Sequence, residues 1–170
     1  AAQPLDFIYP LLLTVYDEVQ AQNMHFNLIE TNRNDVVQQV LNRQADIGVL
    51  VRSRADAKNF LWNTEAKRLD LCLLDSTPPC VCVGPHSPYY NRHTITYAEA
   101  EHCTALALSM EAQAAHDLYF DNTDPHFNTE RIIFVNTVSA CQHLLLHTDA
   151  LAFLSKWTVG CLSDPSLHIL

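Results

Sequence analysis

Glycine is nearly missing from this chain, with three residues in 170. Loops that press backbone against a phosphate, or expose a nucleophile on a sharp turn, are built around glycine. No dinucleotide fingerprint, phosphate loop or Gly-x-Ser-x-Gly elbow can be read here. Cationic side chains are scarce too. Ten Lys and Arg against nineteen Asp and Glu leave a formal net charge of −9 and a pI near 5.3, which excludes a phosphate-gripping surface of clustered cations. Apolar stretches such as Pro10–Val15 and Leu144–Leu146 fall far short of the roughly 20 residues of a membrane-crossing helix. Also absent are the basic segment and apolar run of a secretion signal and the Cys-x-x-Cys spacing of a zinc knuckle.

What is present suits a soluble globular fold of one domain or two small lobes, since 48% of residues are hydrophobic and only 17% charged. Cysteines 72, 80, 82, 103, 141 and 161 lie mostly inside apolar runs, which implies buried reduced thiols and a cytoplasmic location. Cys80 and Cys82 alternate onto one face of a strand, and Cys141 falls in an apolar helical pattern, so core packing is the expectation for it. The nine histidines are read mostly as surface or satisfied polar positions, none with the paired i, i+4 helical spacing of a metalloprotease helix. No metal ligand and no cofactor is assigned.

The organisation is alternating α/β. Phe26–Glu30, an elbow at Thr31–Asn34, apolar positions at Val36, Val37, Val40 and Leu41, and then Ala45–Val51 read as strand, helix, strand in a parallel crossover. Before it, Leu5, Ile8, Leu11, Leu12, Val15, Tyr16 and Val19 keep one apolar face and predict a helix over 5–21, with Pro4 in its first turn and Pro10 as a tightening or kink. The crossover is a strand over 25–30, a helix over 34–43 and a strand over 45–51. A helix over 57–67 and strands over 69–74 and 79–83 follow. Thr96 and Glu99 have capping-box spacing ahead of a short helix. The second half then alternates strand 105–108, helix 112–119, strand 132–135, helix 138–147 and strand 151–154, with a last strand over 167–170. Two α/β lobes joined by extended segments near 79–83 and 167–170 imply a cleft.

Three groups of residues, taken in order, resemble the effector-binding domain of LysR-type transcriptional regulators. They are Ile8–Leu12 with Tyr16, Phe26–Glu30 and Ala45–Val49; then Val81–Pro88 with Ile95–Glu99; then Phe134–Thr137 with Ala150–Leu154. The resemblance implies an α/β fold of two Rossmann-like lobes with a central hinge, like type 2 periplasmic binding proteins. Residues 1–79 with 166–170 would form lobe I, and 80–165 lobe II. It also implies a homodimer contacting through Leu12, Val15, Tyr16 and Val19 of the first helix. By the same comparison the helix-turn-helix and linker helix are missing from this chain, the family's first strand would lie before Ala1, and a further strand and helix after Leu170. Where the family usually carries a glycine, this chain has His147-Thr148-Asp149.

Ligands collect at the carboxyl ends of parallel strands. That rule and the resemblance together line the cleft with Ala2, Gln3, Thr31, Asn32 and Arg52 on one lobe. On the other they place Ser109, Met110, Glu111, Asn136, Thr137, Phe153 and Ser155. Helix N-termini there could hold an anion with Ser or Thr hydroxyls, although Thr31, Ser109 and Thr137 would serve equally as caps. Arg52 suits an anionic ligand, and Glu111 a cationic or hydroxyl-bearing one. No activated nucleophile is visible, so a non-enzymatic sensor of a small-molecule effector is the first reading. It would reach DNA only through a helix-turn-helix outside this chain and would have no membrane partner. A transport-associated solute-binding protein of the same fold is the second.

Overall fold

The computed structural model describes residues 1–19, 25–52, 60, 69–108 and 131–170. They belong to two compact units, Ala1–Val51 and Arg52–Leu170.

In the first unit the apolar spacing forms helix α1, Ile8–Val19. It begins later than expected, so Pro10 sits in the first turn, where its missing N–H breaks no helical bond, and no kink is needed to hold it. Of the α1 residues only Ile8 is buried, whereas Leu11, Leu13 and Tyr16 are exposed. Helix α2, Arg33–Leu41, is capped by Asn32, whose side chain accepts the Asp35 N–H. After it Arg43 adopts φ 56°, the left-handed position that usually falls to glycine. Val36 of α2 is fully buried.

Ala2 lies between two parallel neighbours, bridging Glu30 on one side and Val49 on the other. Four backbone bonds hold it there: Ala2 N–H to Ile29 O (2.9 Å), Thr31 N–H to Ala2 O (3.0 Å), Gln3 N–H to Val49 O (3.0 Å) and Val49 N–H to Ala1 O (3.0 Å). Ala1–Gln3 thus occupy the central position expected for residues preceding Ala1. The strands expected over 25–30 and 45–51 are single bridges at Glu30 and Val49.

The second unit is built on one mixed sheet. Its strands are β1 (Cys80–Val83), β2 (Ala105–Leu108), β3 (Ile132–Val135), β4 (Leu151–Leu154) and β5 (His168–Ile169), in spatial order β3-β2-β4-β1-β5. Strand β2 is parallel to β3 and β4, whereas β1 runs antiparallel to both β4 and β5. Helices α3 (Tyr97–Ala100), α4 (Val138–His147) and α5 (Lys156–Val159) complete the described elements. All four residues of β4 are buried. Ala152 and Leu154 pack with Cys82, Leu106, Cys141 and Leu145, while Leu151 and Phe153 pack with Val83, Ala100 and Ala105. Both faces of the sheet are covered, which is why its central strands read as unbroken apolar runs rather than alternating ones.

Gly84 ends β1 where α4 crosses it. A Cβ there would stand 1.7 Å from the Leu145 carbonyl oxygen, so the glycine serves close packing and not an unusual backbone angle. The extended segments expected as hinges are hydrogen-bonded neighbours, with Val83 opposite His168, Cys82 opposite Ile169, and Leu170 N–H on Val81 O at 2.9 Å. The strand expected over 69–74 is not one. Leu71, Leu73 and Leu74 are exposed, and a β-rich run becomes a strand only with a ladder partner, which this segment lacks among the described residues. Apart from Phe60, the helix expected over 57–67 lies outside the described residues, as does that over 112–119.

Candidate functional site

In the first unit the parallel arrangement puts Gln3, Thr31 and Val51 at the carboxyl ends of the three segments. The Gln3 side-chain oxygen accepts the Val51 N–H at 2.7 Å, so the amide ties two segments together and keeps its NH₂ to donate. Asn32, rather than Thr31, is the helix cap. Its oxygen accepts from Asp35 N–H at 3.0 Å and its amide donates to the Asp35 carboxylate at 2.7 Å. Thr31 donates to the same carboxylate oxygen at 3.2 Å. Ala2, Gln3, Thr31 and Asn32 are therefore brought together, as expected. Ala2 is 2% exposed and can offer a ligand little beyond its shape.

In the second unit β2, β3 and β4 run the same way, so Leu108, Val135 and Leu154 end at one edge of the sheet. Asn136 and Thr137 follow β3 and are exposed. The Thr137 hydroxyl accepts the Ala140 N–H of α4 at 3.1 Å and retains its own proton to donate. Ser155 follows β4, caps α5 by accepting the Thr158 N–H at 3.1 Å, lies 3.0 Å from the Thr158 hydroxyl, and is buried. Arg52 places its guanidinium 4.1 Å from the centre of the Phe60 ring, a cation–π contact. Ser109, Met110 and Glu111 lie outside the described residues.

Phe153 also lines an open pocket of about 240 Å³ between α3 and the sheet, with Pro79, Val81, Ile95, Tyr97 and Leu170. Apart from Phe153, sequence reasoning missed these residues, because the pocket gathers side chains from four separated segments. Its rim carries the expected capping box. Thr96 N–H and hydroxyl donate to one Glu99 carboxylate oxygen at 2.9 and 2.8 Å, and Arg92 binds the other at 2.6 Å. These bonds, Arg92 first and Thr96 next, hold the Glu99 carboxyl at about 2.

Burial pushes the Cys82 thiol up to about 11 and the Cys141 thiol to about 12. Neutral buried thiols are poor nucleophiles. All six cysteines are unpaired with one another. Among the described residues no three His, Cys, Asp or Glu side chains group to hold a metal, and no helix is long and apolar enough to cross a membrane.

A mixed sheet whose parallel strands lead into capped helices in one unit, and parallel bridges around Ala2 in the other, define an α/β protein of the type 2 periplasmic-binding-protein kind. The LysR substrate binding domain profile matches residues 11–170, and the chain belongs to that family, whose substrate-binding domains are regulatory. No curated protein matches the chain. Among solved structures, the crystal structure of a full-length BenM mutant is similar at 11% identity, with a TM-score of 0.47 over 96% of this chain. The chain spans 63% of the length of that one.

Proposed function

We propose that the chain is the effector-sensing part of a LysR-type transcriptional regulator. It binds a small metabolite without catalysis at the carboxyl ends of its parallel strands, and the bound metabolite changes how a helix-turn-helix elsewhere in the protein grips promoter DNA. The observation that carries this reading is the family match along residues 11–170. The donors at the strand ends, the spare NH₂ of Gln3 and the hydroxyl of Thr137, are of the kind that orient a small polar ligand. Ala2, Thr31, Asn32, Arg52, Ser109, Met110, Glu111, Asn136, Phe153 and Ser155 complete the proposed lining. Effector affinity must differ between two arrangements of the protein for binding to signal. Two copies pair through Leu12, Val15, Tyr16 and Val19 of α1. The placing of most cysteines inside apolar runs favours a cytoplasmic sensor over an exported solute-binding protein.

A thermal-shift screen against small carboxylates, amino acids, aromatic acids and sugars tests the reading. At 100 times its dissociation constant the effector adds about 2.7 kcal/mol, and Thr137→Ala reduces the shift. A folded chain stabilised by no class of metabolite, or equally stabilised with Gln3 and Thr137 both changed to Ala, would overturn it.

A further inference from the structure

Helix α4 presents two histidines on its exposed strip. His143 and His147 are four residues apart, so one turn of helix stacks them on the same face. Their ring centres are 4.4 Å apart and their planes are tilted by 48°. Both side chains are exposed, whereas Leu145 between them points into the core and is fully buried. We propose that His143 and His147 form a two-nitrogen chelate for a divalent late first-row metal ion, with copper(II) favoured over nickel(II) and zinc(II).

The spacing fits such an ion. Metal–imidazole bonds of about 2.0–2.1 Å put the metal about 3.2 Å from each ring centre, so two rings at right angles about it have centres about 4.5 Å apart. The helix already holds the rings at that separation. Its end is fixed on both sides: the Thr148 N–H and hydroxyl both donate to Leu144 O, at 2.9 and 2.7 Å, and the Leu145 backbone packs against Gly84. His147 stands in the last turn of α4, where the helix dipole favours positive charge. With two protein donors the site is exchangeable rather than a closed structural zinc centre, and its remaining positions go to water or an outside donor. A purely imidazole donor set ranks copper(II) above nickel(II) and zinc(II).

The test is titration of the full chain with copper(II) in a non-coordinating buffer, followed by calorimetry and electron paramagnetic resonance. The samples are the unchanged chain, His143→Gln, His147→Gln, and His168→Gln as a control on a histidine of another element. Chelation makes the second bond intramolecular, so either α4 substitution weakens the tightest binding by about tenfold or more. It also reduces the bound nitrogens seen by resonance from two to one, whereas His168→Gln changes neither. Both α4 positions are exposed, and circular dichroism verifies that the variants fold. Unchanged affinity in either α4 variant, or an equal loss in His168→Gln, would overturn the proposal.

Discussion

The charge of Glu99 is held firmly by its surroundings, and its pH dependence has a definite sign. Its carboxyl titrates at about 2 instead of the ordinary 4.5 because Arg92 and Thr96 bind the ionised form. The stability it contributes is therefore complete above about pH 4.5 and is lost as pH falls from there towards 2. Urea midpoints of the unchanged chain and Glu99→Gln should differ at pH 7, and the gap should narrow from about pH 4.5 downwards and close only below about pH 2. A gap that stays constant across that range would show that the carboxylate contacts are not its source. The Arg92 and Glu99 side chains are 45% and 34% exposed, so salt should narrow the gap too. At this scale the sequence was legible where one residue type has one favoured job: the Thr96–Glu99 box and the inert, buried Cys141 are both as expected. It was less so where two neighbours compete, and Asn32 caps α2 while Thr31 serves the same carboxylate. The four-residue spacing of His143 and His147 is plain in the sequence. The expectation that no histidines share i, i+4 helical spacing is corrected by this pair, which one turn of α4 brings together.

Among the elements, α4 and the end of β1 depend on one another. Gly84→Ala must push the Leu145 carbonyl outward or tilt the whole helix, because the added methyl would sit 1.7 Å from that oxygen. Overpacking of this kind costs about 1–3 kcal/mol. Guanidinium unfolding should show at least the lower figure, and a neutral substitution would mean that α4 does not lie across Gly84. Strands 132–135 and 151–154 and helix 138–147 are found at their expected bounds, because apolar β-rich runs, a Thr137 cap and short connections are all local signals. The role of Gly84 was hidden. In sequence it belongs to a Gly-Pro turn, and only the crossing helix shows why a side chain cannot be accommodated. The run 69–74 failed for the opposite reason: its local preference is β, but a ladder needs a partner, and partnership is not a local property.

At the scale of the whole molecule, the pairing proposed through α1 can be tested directly. On this helix Tyr16 is 62% exposed and Leu12, Val15 and Val19 are half-buried, the four positions of the proposed contact. Light scattering at high micromolar concentration should return the mass of two chains, and Tyr16→Glu with Val15→Glu should return one. A monomer in the unchanged chain would count against pairing through α1. Family membership was legible at this scale because order and spacing of weak motifs accumulate over 160 residues, although no single motif would have established it. The strand order β3-β2-β4-β1-β5 was not, since nothing local states which strands are neighbours. That order also governs how the second unit can be made. β1 is the earliest of its strands to be synthesised, yet both its partners, β4 and β5, are the last. At the roughly 5–20 residues per second of translation β1 waits several seconds for Leu151–Ile169 to emerge, carrying Val81, Cys82 and Val83 without a ladder. The centre of this sheet is a long-range closure, slow to form by its topology, and the nascent chain is most open to mispairing in that interval.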